Sequence, residues 1–305
     1  MDFQEDVTVS EALMQQVAEN YRKVRNTFKY ILSNLPDFDP AQHSVKFEDM
    51  QPLDQYWLMR TAEMSDRARQ WYASFEFHRI YHQLNEFSVD LSKEYIDVLK
   101  DRLYTSAPNS RARRSAQTAI WRIGEALVRL VAPIMSFTSD EVWGFLPKVS
   151  GRLESVHLAH FPAGDDITGG IADLQQSQSV KKDFDALMVV RDQVLQALES
   201  ARNTKLIGSA LEAMVTIYAP ESLFKLLDRY RQDLRFLLII SGLDVQSQAT
   251  GNGNAPLRVE VSRAPGAKCE RCWNYSTQVG VSERYPTVCE RCLAALAEIE
   301  QEQPA

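Results

Sequence analysis

The sequence lacks most features that mark secreted, membrane-spanning or phosphate-loop proteins. It has no run of about eighteen apolar residues, so we expect no membrane span and no membrane partner. The N-terminal residues MDFQEDVTVS contain no apolar signal-peptide core, which favours a cytoplasmic location. There is no glycine-rich phosphate loop, no serine–histidine–aspartate motif and no cysteine–histidine motif. The residues alone therefore indicate no catalytic centre.

The overall composition is that of a soluble globular protein. Hydrophobic residues make up 45% of the chain and charged residues 25%. A length of 305 residues suits about two or three domains. The formal net charge of −7 argues weakly against nucleic-acid binding, but such binding depends on where the basic residues cluster. The arginines must therefore be examined helix by helix.

Cysteine is scarce, and all four cysteines lie near the end of the chain. They form two Cys-x-x-Cys pairs, Cys269/Cys272 and Cys289/Cys292, separated by sixteen residues. Each two-residue gap lets both thiolates of a tight turn point at one ion, so two pairs can supply the four ligands of a tetrahedral zinc ion. A closed four-thiolate shell has no position for a substrate. The pattern predicts one structural Zn2+.

Two other interpretations of the cysteines are open. Two disulfides would require an oxidising compartment, and the N-terminus has no signal-peptide core. A thioredoxin-like redox pair would leave the second Cys-x-x-Cys pair unexplained. Metal binding is favoured over both, and zinc is favoured over iron because closed four-thiolate sites commonly hold it.

Apolar periodicity predicts helices throughout the first half of the chain. Ser10 can cap a helix that ends at Pro36, and an aromatic-rich helix follows from about Asp54 into the low eighties. Another helix is predicted from about Leu91 to Tyr104. Residues 138–141, Thr-Ser-Asp-Glu, have the capping-box form that starts a further helix. These helices predict an up-and-down bundle over residues 1–148.

One helix of this bundle carries a stripe of arginines. Ser110 can cap it, and Pro133 ends it. On a helical wheel, four arginines lie within about 80° of one another, opposite the apolar side; they are Arg111, Arg114, Arg122 and Arg129. Glu125 lies in the same stripe. Four arginines against one acid are typical of a face that follows phosphate groups, and a merely solvated face is the alternative.

Composition changes after Pro147. Residues 149–178 are predicted to form a linker with a short strand at 155–161 (SVHLAHF). In residues 179–265, predicted helices alternate with strands near 213–219, 243–246 and 257–262, with a turn at 250–256 (TGNGNAP). This alternation predicts a small α/β junction domain. Residues 266–298 then form the four-cysteine zinc-binding segment.

Several stretches, taken in order along the chain, resemble the C-terminal part of bacterial isoleucyl-tRNA synthetases, which are class I aminoacyl-tRNA synthetases. They are YRKVRNTFKYILSNLPDFDP (21–40), FSVDLSKEYIDVLKDRLYT (87–105), APIMSFTSDEVW (132–143), KLIGSALEA (205–213) and KCERCWNY (268–275). The resemblance implies a mainly α fold: a helical bundle of the class I synthetase anticodon-binding type, then a small α/β module, then a four-cysteine zinc-binding loop.

The chain departs from this family in one respect. It contains neither a HIGH-type motif nor a KMSKS-type motif, and a counterpart of the editing domain is missing. We therefore expect a fragment that begins just after the catalytic core. ATP and Mg2+ are expected only in that absent catalytic domain, and the fragment alone is expected to be inactive.

The resemblance also implies a partner and a role for exposed side chains. In the complete enzyme, ATP-dependent attachment of isoleucine to tRNA(Ile) is accompanied by editing of mischarged valine. This chain is expected to supply tRNA and anticodon recognition as a monomer. The arginine stripe would contact phosphates, and Arg271 and Trp273 would contact anticodon bases. The alternative function is a free-standing zinc-dependent module that binds RNA or protein.

Overall fold

The computed structural model describes residues 9–171, 173–248 and 256–302. The chain divides into two compact units. Unit 1 comprises Met1–Leu99 and Asn109–Lys181, and unit 2 comprises Lys100–Pro108 and Lys182–Ala305. The predicted turn at 250–256 lies, except for Pro256, outside the described residues. The four-segment division at 1–148, 149–178, 179–265 and 266–298 stays a prediction.

Unit 1 is built from helices. Two of the helices, Asp97–Thr105 and Leu174–Asn203, have residues in both units. The helices up to residue 203 are α1 (Glu11–Ser33), α2 (Pro40–His43), α3 (Pro52–Ala73), α4 (Phe77–Asp90), α5 (Asp97–Thr105), α6 (Arg111–Val131), α7 (Ser136–Phe145), α8 (Gly164–Thr168) and α9 (Leu174–Asn203). In the described part of the chain, no helix combines the length and the hydropathy needed to cross a bilayer.

The two serine caps are confirmed. The Ser10 hydroxyl accepts a hydrogen bond from the backbone N–H of Leu13 at 3.2 Å, and the Ser110 hydroxyl accepts one from Arg113 at 3.4 Å. Each cap satisfies a backbone donor that has no partner inside the helix. Between the helices, the rings of the buried residues Trp57 and Tyr95 stack at 5.6 Å. The predicted helical bundle therefore has a closed aromatic and aliphatic core.

The prediction of one long aromatic helix into the low eighties is wrong. Helix α3 ends at Ala73, and Phe75 takes a left-handed φ of 60°. The N–H of Glu76 donates to Trp71 O at 2.8 Å and that of Phe75 donates to Tyr72 O at 3.2 Å, which is the Schellman pattern of a helix end. No glycine marks this stop. Helix α4 then continues through a π-helical segment, Leu91–Ile96, into α5.

Two local predictions after α6 are also wrong. Helix α7 begins at Ser136, so Thr138 lies inside it, and the Thr138 hydroxyl is 3.1 Å from the hydroxyl of Tyr21. Residues 155–161 contain a 3-10 turn at Val156–Leu158 where a strand was expected. The Ser155 hydroxyl accepts from His157 N–H and donates to Asp140 at 2.6 Å, which closes the chain into a turn.

Unit 2 contains a three-stranded sheet. Strand β1 (Ala213–Pro220) lies between β2 (Gly242–Gln248), which is parallel to it, and β3 (Arg258–Arg263), which is antiparallel. Helices α10 (Glu221–Arg229) and α11 (Arg231–Leu237) connect β1 to β2. Alternate residues of β1 are buried, as expected for a strand covered on one face. The predicted small α/β module is confirmed.

The zinc-binding segment completes unit 2. Strands β4 (Ala267–Lys268) and β5 (Tyr275–Ser276) form an antiparallel pair, and α12 (Glu290–Glu302) follows. All four cysteines are buried within this segment. The fold is thus mainly α, with a helical bundle, a small α/β module and a four-cysteine loop, as predicted.

Candidate metal centre and arginine face

The first Cys-x-x-Cys pair lies in the turn between β4 and β5. The backbone N–H of Cys269 donates to Asn274 O at 2.8 Å, and that of Trp273 donates to Cys269 O at 2.9 Å. The side-chain amide of the buried Asn274 also donates to the Cys272 carbonyl at 3.2 Å. These bonds close the turn and hold both thiols on its inner side.

The second pair lies at the start of α12. Cys289 directly precedes the helix, its carbonyl accepts from Leu293 N–H at 2.9 Å, and Cys292 lies in the first turn. The two pairs are joined by a hydrogen bond from Glu270 N–H to Thr287 O at 3.0 Å. A small apolar cluster surrounds the thiols; it consists of Val279, Tyr285, Val288 and Leu296.

The four thiols converge on one point. All four Sγ atoms lie within 4.8 Å of one another, and those of Cys272 and Cys289 are 3.6 Å apart. The N–H of Cys289 also donates to the Sγ of Cys269 at 3.3 Å. Tetrahedral Zn–S bonds of about 2.3 Å would place the sulfurs about 3.8 Å apart. The donor set and its spacing therefore fit zinc.

Close approach of four buried thiols separates their pKa values. A hydrogen bond from Cys292 lowers the pKa of Cys272 to about 3, and the Cys272 thiolate in turn raises the pKa of Cys292. Burial raises the pKa of Cys289 to about 11. A bound divalent cation would favour the thiolate form of all four. Without a cation, deprotonation of all four thiols is therefore costly, and a bound metal ion would offset that cost.

Two arginines of the cysteine pairs bind the segment 100–108 of unit 2. Arg291 forms a bidentate ion pair with Asp101, with 2.7 Å between Nη2 and Oδ1. Arg271 donates to the carbonyl of Thr105, and its Nη1 is 3.8 Å from the Sγ of Cys292. Arg271 is thus engaged within the protein. No sequence pattern links residues so distant in the chain, so these contacts were not predicted.

Trp273 differs from Arg271 because its side chain is 60% exposed. Its φ of 64° is left-handed, which is strained for a bulky residue. The Lys268 ammonium lies 5.1 Å from the ring centre. The turn around the first thiol pair therefore holds an indole ring in solvent beside a positive charge, an arrangement suited to stacking on an unpaired base.

The predicted arginine stripe is not an exposed face along its length. Arg111 is solvent-exposed, although it pairs with Asp49 at 2.7 Å. Arg114 is only 7% exposed and donates to Asp37 O and the Gln117 side chain, each at 2.8 Å, and to Asn109 at 2.7 Å. Its guanidinium acts as an internal link between the helix and the preceding loops.

Arg122 and Arg129 are partly covered by the segment around α8. Arg122 donates to the carbonyl of Thr168. Arg129 donates to Glu125 O at 3.0 Å and lies 3.8 Å from Asp166. Burial lowers the pKa of both guanidinium groups. A helical wheel cannot show this cover, because α8 is distant in the sequence.

Comparison with known proteins agrees with the geometry. The family model described as the anticodon-binding domain of tRNA ligase matches residues 54–217. A second family model, the zinc finger found in FPG and IleRS, matches residues 266–295 and thus all four cysteines. The first match runs from α3 to the start of the α/β module and does not include α1 or α2, and the second covers most of the zinc-binding segment.

Individual relatives cover nearly the whole chain. The chain is 41% identical over 303 residues to the isoleucine–tRNA ligase of Syntrophotalea carbinolica. It is 42% identical over 293 residues to that of Dichelobacter nodosus, and 42% identical over 303 residues to that of Symbiobacterium thermophilum. Each match includes at least 95% of this chain, but the chain spans only 30–32% of the length of these relatives. Because the family model matches more than half of its residues, this chain belongs to the family of anticodon-binding domains of tRNA ligases.

Proposed function

We propose that the chain is the tRNA-binding, C-terminal part of an isoleucine–tRNA ligase. The observation that carries the proposal is the four-thiol cluster of residues 266–295, which matches the IleRS-type zinc finger and follows an anticodon-binding domain in one chain. Relatives with the same order of segments carry the isoleucine–tRNA ligase name. The partner would be tRNA(Ile), bound by a cytoplasmic monomer.

The activity of the whole ligase would be ATP-dependent attachment of isoleucine to tRNA(Ile), with removal of mischarged valine. The chain has no HIGH-type or KMSKS-type motif to bind ATP. ATP, Mg2+ and isoleucine would therefore bind in parts of the ligase beyond these residues. The zinc ion, held by Cys269, Cys272, Cys289 and Cys292, would order the C-terminal segment without taking part in the reaction.

Trp273 and Arg111 are the best-placed candidates for direct RNA contact. Trp273 offers an exposed ring for stacking on an anticodon base, and stacking of this kind contributes about 1–3 kcal/mol per base. Arg111 offers an exposed guanidinium to a phosphate. Arg111 also pairs with Asp49, but its side chain stays 65% exposed. Arg114 is buried and Arg271 is only partly exposed, and both donate to protein acceptors, so their role in this proposal is to position neighbouring segments.

Filter binding to tRNA(Ile) tests the proposal. We expect the zinc-loaded chain to prefer tRNA(Ile) over an unrelated tRNA, and Trp273→Ala to weaken the preferred complex about 5- to 100-fold. Phe137→Ala removes another ring, 93% exposed in unit 1, and is the matched control. The chain alone should catalyse no isoleucine-dependent pyrophosphate exchange. Equal affinity for both tRNAs, or measurable exchange, would contradict the proposal.

A further inference from the structure

The two Cys-x-x-Cys pairs enclose the same two residues. Both pairs read Cys-Glu-Arg-Cys, at residues 269–272 and at residues 289–292. Glu270 and Glu290 are exposed, whereas Arg271 and Arg291 are only partly exposed. In each pair, therefore, the acidic residue faces solvent and the basic residue packs against the protein.

Each of these arginines reaches a sulfur atom of the opposite pair. The Nη1 of Arg271, in the first pair, lies 3.8 Å from the Sγ of Cys292 in the second. Arg291, in the second pair, interacts electrostatically with the sulfur of Cys272 in the first. This crossed arrangement requires both pairs to meet at one point, which is the condition that a shared metal ion imposes.

The charges of the two arginines match the charge of the expected metal centre. A Zn2+ ion with four thiolates has two positive and four negative charges and is therefore a dianion. All four thiols are buried, and a buried charge without a counter-ion is destabilising. Two guanidinium groups beside the sulfurs supply the two positive charges that neutralise such a centre.

The same two arginines hold the segment 100–108, which also belongs to unit 2. Arg291 forms its bidentate ion pair with Asp101, and the two side chains are only 27% and 21% exposed. Arg271 donates to the carbonyl of Thr105. Because each guanidinium contacts both a sulfur and this segment, it forms a direct physical connection between the thiol cluster and residues 100–108.

We propose that Arg271 and Arg291 neutralise the zinc–thiolate centre and thereby couple zinc binding to the docking of segment 100–108. Such coupling is reciprocal: zinc holds the segment in place, and the docked segment holds both arginines against the sulfurs. The ion thus orders a second part of unit 2, more than 160 residues away in the chain, besides its own loop.

Competition for zinc with a chromogenic chelator tests the role of the arginines. Arg291→Met removes the charge and keeps a long side chain, and we expect zinc affinity to fall by about 10- to 100-fold, as is typical when a partner of the metal ligands is lost. Arg284→Met is the matched control, because Arg284 lies between the two pairs but is 70% exposed and pairs with Glu300. Equal zinc affinity in the two variants would overturn the proposal.

Arg291→Lys separates the charge from the geometry. Lysine keeps the positive charge but cannot form the bidentate pair with Asp101. We expect zinc affinity to stay within about threefold of that of the unaltered chain, while hydrogen exchange in residues 100–108 increases. A loss of zinc affinity as large as that in Arg291→Met would overturn charge neutralisation as the means of coupling.

Hydrogen exchange of the unaltered chain decides the coupling even if a variant fails to fold. Removal of zinc should increase exchange in residues 100–108 as well as in the zinc-binding segment. Helix α10 of the same unit packs on β1 and β2 and should be unchanged, so it is the internal reference. Equal exchange in residues 100–108 with and without zinc would overturn the coupling. No RNA is used, so a failure to bind tRNA would contradict the proposed function alone.

Discussion

Polar side chains inside unit 1 bind one another across helices, and Asp54 is the clearest case. It is fully buried in α3, where it accepts from the Tyr95 hydroxyl at 2.7 Å and from the Ser115 hydroxyl at 2.5 Å. One carboxylate thus joins α3 to α6 and to the π-helical segment. Removal of one partner leaves the others desolvated and unpaired, which costs more than the bond itself contributes.

Asp54→Ala should therefore lower the free energy of unfolding of the chain by about 2–4 kcal/mol. Urea denaturation followed by circular dichroism measures this change. Asp66→Ala, on the exposed side of the same helix, should change the free energy by no more than about 0.5 kcal/mol. Similar values for the two variants would show that Asp54 does not join these helices.

Asp37 supplies a pH dependence with a defined sign. Burial alone would raise its pKa, but hydrogen bonds from Arg113 and Gln117, with the charges of Arg113 and Arg114, lower it to about 2. A carboxyl group whose pKa is depressed by folding stabilises the native state above its unfolded pKa of 3.8. That contribution is lost as pH falls from about 4 to about 2.

We expect Asp37→Asn to reduce the acid sensitivity of unit 1 within this pH range. Because the Asp37 side chain is 42% exposed, solvent screening limits the effect to about 1 kcal/mol. Urea titrations at pH 5, 3.5 and 2.5 compare the variant with the unaltered chain. If Asp37→Asn and the unaltered chain lost stability equally as pH fell, the depressed pKa of Asp37 would not be the source of the acid sensitivity.

At the scale of elements, the zinc-binding segment depends on one glycine before β4. Gly266 has a φ of 90°, and a Cβ added there would lie 2.3 Å from the carbonyl of Ser276. Gly266→Ala should therefore disturb the β4–β5 pair, which carries the first thiol pair. When a chromogenic chelator is added, we expect zinc to leave Gly266→Ala at least tenfold faster than it leaves the unaltered chain.

The matched control for that change is Gly144→Ala. An added Cβ at Gly144, within α7, meets no atom within 4 Å, and alanine favours a helix. Zinc release should be unchanged in this variant. Equal release rates in the two variants would show that the conformation at Gly266 does not support the thiol cluster.

Zinc removal should loosen residues from about 257 onward and leave the helical bundle intact. The thiol cluster supplies most of the small core of residues 266–298, because few apolar side chains surround it. Hydrogen exchange with mass spectrometry, before and after chelation, separates the two regions. An exchange increase in α1, α3 and α6 as large as that in α12 would contradict modular folding.

The sequence was sufficient for elements that depend on local signals. The serine caps and the four-cysteine spacing both act over a few residues, and the structure confirms the two caps and the convergence of the thiols. The stop at Phe75 was missed because its Schellman turn contains no glycine. The capping box predicted at Thr138 is wrong because α7 begins two residues earlier, and the Thr138 hydroxyl contacts the Tyr21 hydroxyl instead of capping the helix.

Long-range packing accounts for the rest of the errors. The helical wheel places four arginines on one side of α6, but it cannot show that Asp37, Thr168 and Asp166 approach that side. The partners of Arg271 and Arg291 lie more than 160 residues away in the chain. Such contacts carry no periodic signal, so only the structure reveals which arginines are free.

At the scale of the whole molecule, the proposed function places a candidate RNA contact in each unit, and the chain has no HIGH-type or KMSKS-type motif for amino-acid activation. The exposed Arg111 lies in unit 1, and the thiol cluster with the exposed Trp273 lies in unit 2. Phosphate contacts fix a position on RNA, and stacking with base-edge contacts adds sequence preference. Under the proposed function, unit 1 therefore supplies affinity for the RNA and unit 2 supplies preference for the anticodon.

A competition experiment tests the central claim most directly. Labelled tRNA(Ile) is bound to the zinc-loaded chain and displaced by unlabelled tRNA(Ile), or by the same tRNA with all three anticodon bases replaced. We predict that the replaced tRNA competes at least tenfold less well, and that Trp273→Ala removes most of this difference. Equal competition by both tRNAs with the unaltered chain would contradict anticodon recognition.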